Sequence, residues 1–202
     1  GARGVSGAPR RAARAGAGRR DLGAEPFGEF VEKDYLEVSV RLMETSRDPR
    51  HRSVLLLHKT SDNFMEFLDE GGLQASPPGQ DFEYMLVEIG GDTAVNIAQL
   101  MQVGAGAYQH GRPLALDLLW KVLERGKDLS SKDWELVRTA IVDLRDNIFI
   151  GRMFFGRSKG EVLWDVDCRP SDGIWMALRS RKPVFVHRKV WDAAKASVKG
   201  GG

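Results

Sequence analysis

The densest run of chemically competent side chains lies between Asp165 and Asp172, reading Asp-Val-Asp-Cys-Arg-Pro-Ser-Asp. Asp165 and Asp167 stand two apart in a strand-like segment. Both carboxylates then leave one face about 7 Å apart, within reach of a shared divalent ion such as Mg²⁺ or Mn²⁺. Arg169 offers a planar fork that fits a phosphate in bidentate fashion, and Asp167 or Asp172 can hold metal or orient a water. Ser171, with the N-terminus of the helix that follows, can donate to an anion. The same residues also have a structural reading. Ser171 and Asp172 are favoured helix-capping types, and Arg169 can pair with Asp167 to fix the turn. A second Arg-Pro step, Arg112-Pro113, opens another helix. Arg112 reads as a phosphate ligand or as a turn-fixing residue, and Asp117 as the partner of Lys121 on a solvated stripe.

The remaining reactive side chains are dispersed. His51, His58, His110 and His187 show no zinc-ligand spacing, and His110 draws interest only because Arg112 is two residues away. Trp120, Trp164 and Trp175 fall in apolar helix and strand patterns, which favours packing over base stacking. Cys168 is the sole cysteine. It has no disulfide or zinc partner in the chain, requires no oxidising compartment, and is expected to be buried rather than nucleophilic.

The elements that must position these groups follow from periodicity. Residues 35–42 alternate Leu36, Val38, Val40 and Leu42 with Glu37, Ser39 and Arg41, the pattern of a half-buried strand. Further strands are expected at 53–58 and 82–89, separated by a Gly- and Pro-dense loop at 71–80. Asp92 or Thr93 caps a helix with the stripe Ala94, Ile97, Ala98 and Met101, closed by the Gly-rich segment 104–111. The Arg112-Pro113 helix is expected to end at Gly126 and to be covered on most sides, because only Asp117, Lys121, Glu124 and Arg125 interrupt its apolar circumference. Strands at 136–144 and 148–155 flank the turn residues Arg145, Asp146 and Asn147, and a third strand runs over 161–167. A short helix through Arg179 and a strand at 184–186 complete the order. The class is α+β, with a mainly antiparallel or mixed sheet packed with about three helices. The repeated Arg-Pro steps leave an internal duplication open.

At 202 residues and 42% hydrophobic content, the chain fits one globular domain, placed at 31–190, with a tail at 191–202. No run approaches the roughly 18 uncharged apolar residues of a spanning helix, so no membrane partner is expected. Residues 1–20 hold six arginines and no acid; without them Lys+Arg falls from 30 to 24 against 28 Asp+Glu, and the rest carries −4. A net basic footprint for gripping nucleic acid is therefore missing from the body, and any such contact must come from a local patch. The leader and linker at 1–30 have the composition of an organelle transit peptide, with a disordered basic tail as the alternative.

Taken in order, these blocks resemble the bifunctional nuclease domain family. The run VDCRPSDGIWMALRSRKPVFV carries the likeness most specifically, supported by MLVEIGGDTAVNIAQLM, GRPLALDLLWKVLERG and VRTAIVDLRDNIFIGRMFF. It spans about Leu36 to Val186. The resemblance implies a nuclease acting on RNA or DNA in a plastid or, alternatively, a mitochondrion. For that activity the residues read above supply Asp167, Asp172 and Arg169 as the catalytic candidates, Arg112, Arg169 and Ser171 as the substrate ligands, and Asp165 with Asp167 as a Mg²⁺ or Mn²⁺ pair. A homo-oligomer, with a dimer favoured, is the expected assembly. Two departures matter. Bacterial members often carry Thr-His-Asp where this chain has Ala115-Leu116-Asp117, and the segment 43–80 reads as an insertion. The competing reading is a non-catalytic interaction module of an organellar nucleic-acid-processing or transcription complex, using the apolar Arg-Pro helix.

Overall fold

The computed structural model describes residues 30–43, 53–62, 68–69, 72–73, 81–104, 112–130, 133–157 and 161–198. The Arg-rich leader, most of the 71–80 loop, His51 and His110 lie outside the described residues.

After a 3-10 turn at Glu32–Asp34, the alternating segment forms β1 (Tyr35–Met43), which pairs antiparallel with β2 (Ser53–Lys59). The short strands β3 (Leu68–Asp69) and β4 (Gly72–Leu73) pair with each other. Strand β5 (Phe82–Ile89) leads into α1 (Gly91–Val103), and α2 spans Ala115–Ser130. The hairpin β6 (Glu135–Arg145) and β7 (Ile148–Gly156) turns through Asp146 and Asn147, whose φ angles of 50° and 63° are the left-handed pair of a two-residue hairpin turn. Then follow β8 (Val162–Cys168), α3 (Pro170–Ser180), β9 (Val184–His187), α4 (Arg188–Ala194) and β10 (Ala196–Val198).

Eight strands make one mixed sheet in the order β10-β5-β2-β1-β9-β6-β7-β8. Among the described strands only the β6–β9 pair is parallel, which suits a strand returning through α3 and a crossover. The α+β class therefore holds, with four α-helices among the described residues rather than about three. Among the described residues no repeat appears in this order, and the duplication is not shown. The segment expected as a tail from 191 instead carries the end of α4 and all of β10, which pairs with β5. Two contacts fix it: Val190 and Trp191 are buried, and the His187 ring accepts from the Lys189 N–H at 3.1 Å to cap α4. Glu83 of β5 adds a clamp, bonding Lys195 and Lys59 at 2.6 Å each, and these ammonium groups pull its carboxyl down to about 2.

The main core lies on the helical side of the sheet. Leu55, Leu57, Met85, Ile141 and Val186 meet Ile97 of α1, Ile174, Trp175 and Met176 of α3, and Trp191 of α4. Alternation sends Ala140, Phe154 and Phe185 to the other face, where Phe30 covers them and stacks on Tyr35 at 4.2 Å. Gly173 lets α3 sit this close. A Cβ there would lie 2.6 Å from Thr139 Cγ2, and Thr139 donates its hydroxyl to the Gly173 carbonyl at 3.0 Å.

Helix α2 departs most from expectation. It begins at Ala115, not at Pro113, and runs through Gly126 to Ser130. Its apolar side is not mostly covered, since Leu118, Val122 and Leu129 are 57, 59 and 71% exposed. Asp117, expected on a solvated stripe, is buried and accepts from the Leu114 N–H at 2.9 Å. A carboxylate three residues into a helix that reaches back to the capping residue satisfies an otherwise orphaned donor, so its burial is compensated.

Candidate functional site

Three chain reversals bring three helix beginnings together. Strand β5 ends at Ile89 and Gly90 caps α1. Leu114 precedes α2, held by Asp117. Strand β8 ends at Cys168, and Arg169, extended at φ −67° and ψ 144°, caps α3 with Pro170 in its first position. Proline suits that place because its missing N–H would have no helical partner. Gly151 permits the approach, since a Cβ there would stand 3.0 Å from the Cys168 carbonyl and 3.1 Å from the Pro170 nitrogen.

All three N-termini border one pocket of about 630 Å³. Gly90, Thr93 and Asn96 line it from α1, Ala115, Leu116 and Leu119 from α2, and Arg169 and Asp172 from α3. The first turn of a helix presents N–H groups without intrahelical acceptors and the positive end of its dipole. Convergence of three such ends favours an anion in the space between them. Thr93 and Asn96 are buried polar groups in its wall.

Within the pocket, Arg169 clamps Asp172. Its Nε donates to Oδ2 at 2.8 Å and its Nη2 to Oδ1 at 2.9 Å. The Arg169 side chain is nonetheless 74% exposed, so its remaining N–H donors face outward. The hydrogen bond and charge of Asp172 raise the guanidinium's already high pKa, which keeps it cationic. The carboxylate is thus oriented by a cation that still has donors to spend on a phosphate.

The expected site is therefore divided. Arg169 and Asp172 meet in the pocket, paired with each other rather than Arg169 with Asp167. Neither Ser171 nor Asp172 caps α3 through its side chain, since Arg169 holds the capping position and makes no side-chain cap bond. Ser171 and Arg112 do not line the pocket, and Arg112 is exposed. On β8, Trp164 stacks on Phe155 and Cys168 touches Gly173, so residues 164 and 168 face the helices. Alternation then turns Asp165 and Asp167 to the other face of the sheet. There Asp165 is ion-paired with the buried Arg152. Among the described residues no three His, Cys, Asp or Glu side chains gather as a metal-holding group. Asp165 is thus engaged by Arg152, and Asp165 and Asp167 lie on the face of the sheet away from the pocket.

Other candidates resolve more simply. Burial first, then the charges of Asp172 and Asp167, push the Cys168 thiol up to about 12, which removes it as a nucleophile. His58 is buried against Phe82, and burial lowers its pKa. Trp175 is core, whereas Trp164 keeps 40% of its surface exposed despite its stacking. Thr93, Asn96 and Leu116 were missed as lining residues. The available signal was Asn96, a polar residue beside the α1 stripe of Ala94, Ile97 and Ala98.

No curated protein matches the chain. A profile of the bifunctional nuclease domain matches residues 79–199, more than half of the length, taking in β5 to β10, all four helices and the whole pocket. With Arg169, Asp172 and the three helix beginnings all inside the matched region, the chain belongs to the bifunctional nuclease domain family.

Proposed function

We propose that this protein hydrolyses phosphodiester bonds of RNA or DNA at the pocket between the three helix N-termini. The observation that carries the reading is the Arg169–Asp172 pair held at that positive convergence. In this reading the scissile phosphate seats against the first turns of α1 and α3. Arg169 keeps one edge on Asp172 and turns its other donors to a phosphate oxygen, stabilising charge that grows in the transition state. Asp172, oriented by two bonds, accepts a hydrogen bond from water and takes up its proton as the water attacks phosphorus. The bond to the leaving oxygen breaks, and that oxygen is protonated from solvent, since no imidazole lines the pocket among the described residues.

The test is a cleavage assay on single-stranded RNA and duplex DNA, with and without Mg²⁺ or Mn²⁺. Arg169→Ala and Asp172→Asn are expected to cut turnover by about 10²-fold or more while the melting temperature is nearly kept. No cleavage by the wild-type protein in any arm would refute the reading. The exposed Leu118, Val122 and Leu129 face of α2 favours the second reading, an interaction module that assembles with a second copy. Absence of cleavage together with a dimer in sedimentation is the outcome that would select it. The Arg-rich leader supports delivery to a plastid, with a mitochondrion as the alternative; cytosolic retention of a reporter bearing residues 1–20 would refute delivery.

A further inference from the structure

Helices α2 and α3 border a second cleft, of about 680 Å³. The pocket takes Leu116 from α2 and Asp172 from α3, whereas the cleft takes Trp120 and Lys127 from α2 and Met176 and Arg179 from α3. On α3, residues 172, 176 and 179 share one stripe; on α2, residues 116, 120, 123 and 127 do. Pocket and cleft thus lie along the same groove between the helices, one at their N-terminal ends and one toward their C-terminal ends. From Asp172 to Arg179 the rise is about 10 Å at 1.5 Å per residue. That is on the order of three stacked nucleotides at about 3.4 Å each.

The chemistry of the cleft differs from that of the pocket. Lys127, Arg179, Arg181 and Lys182 bring positive charge, but Glu124, Asp128 and Glu135 offset most of it. Lys182 is spent on Glu135 at 2.8 Å. The C-terminal carbonyls of α3 add the negative end of its dipole. A phosphate is therefore poorly matched to the cleft interior. Its aromatic wall is better defined. Trp134 stands edge-on to Phe155 and Trp164 at centroid distances of 6.2 and 5.5 Å, and Trp120 carries the Arg179 guanidinium over its ring at 5.4 Å. A flat aromatic surface ringed by both donors and acceptors suits a neutral heteroaromatic group that needs both.

Arg181 gives an independent sign. It ends α3 in the left-handed conformation, φ 56°, where glycine is the favoured residue, yet its exposed side chain lines the cleft.

We propose that this cleft binds one unpaired nucleobase, stacked on Trp134, with Glu124 or Asp128 accepting from its amino or imino edge and Arg181 meeting the adjoining phosphate. The volume lies within the range of about 300–1,000 Å³ typical of small-ligand sites. As a base of the strand being cut, the occupant rests on the proposed phosphodiesterase reading; as a free nucleoside it does not. In the first case the groove selects single strands, because a paired base cannot leave its stack without cost.

The experiment uses the full chain and three probes: adenosine, a single-stranded deoxyadenylate octamer, and the same octamer in a duplex. Tryptophan quenching and calorimetry report binding. Adenosine is expected to bind, Trp134→Ala to weaken it about 10-fold, and Trp134→Phe to restore most of that loss. Arg181→Gly should leave the melting temperature unchanged or higher, since glycine suits the backbone, while weakening the octamer several-fold. Arg169→Ala should weaken the octamer and leave adenosine unchanged. Indifference of both adenosine and octamer to Trp134 and Arg181, with cleavage intact, would overturn the cleft and spare the nuclease. Adenosine binding that depends on Trp134 in a protein that cleaves nothing would do the reverse. Equal affinity for duplex and single strand, or binding of an aromatic peptide in preference to adenosine, would also overturn it.

Discussion

Leu116 lines the same pocket as Arg169 and Asp172, at the position where the family resemblance implies a frequent histidine. Among the described residues the pocket has no side chain that ordinarily titrates near neutrality. Proton transfer to the leaving oxygen then falls to solvent, and general acid catalysis is worth about 10²–10⁴-fold where it operates. Leu116→His is accordingly expected to raise cleavage by about 10-fold or more near neutral pH, with a descending alkaline limb set by the introduced imidazole. Steady-state turnover against pH checks it, and a flat, unraised profile would show that position 116 takes no part in proton transfer. The pocket was only half legible in the sequence. Arg169 and Asp172 stand three apart around a proline, so a local motif was enough to find them. Thr93 and Leu116 lie far from them along the chain, and they join the site only because three separate reversals end at one place. Asp165 and Asp167 fall outside the pocket for a related reason: a spacing of two fixes that they share a face but not which face of the sheet that is.

Among the elements, α2 shows best how a local signal yields to the rest of the helix. Gly126 looked like a terminator, yet the helix continues for four residues beyond it. Good helix formers on both sides outweigh one glycine, whose cost is about 1 kcal/mol relative to alanine. Gly126 is exposed, and a Cβ at that position meets nothing within 4 Å. Gly126→Ala should therefore stabilise the protein by about 0.5–1 kcal/mol, read as a rise of roughly 1–4 °C in a thermal melt. A fall in melting temperature would mean that the helix does not continue through 126 in solution. The strands were read more securely, because alternation at 35–42 and the Asp146-Asn147 turn report their own geometry. α4 and β10 were not. A seven-residue helix anchored by Val190 and Trp191 gives too few turns for a periodic signal, and β10 exists only because β5 offers it an edge.

For the whole molecule, charge sets how nucleic acid is approached. The body beyond residue 20 carries −4, whereas residues 1–20 add six arginines. If binding runs through the groove, the cations that meet phosphate are Arg169 in the pocket and Arg181 at the cleft. Each phosphate neutralised on a single strand lowers log K by about 0.7 per decade of salt. Two contacts then give a slope of roughly −1.4 for protein lacking residues 1–20, a shallow dependence that fits recognition by shape and stacking rather than by general attraction. With the six arginines attached, the five remaining phosphates of the octamer can also be contacted, and the slope should steepen toward about −5. Octamer affinity measured for both forms between low and physiological salt decides the matter. Equal, steep slopes would place the basic surface on the folded body and remove the groove as the main contact. Equal, shallow slopes would mean that the arginines of residues 1–20 do not touch nucleic acid.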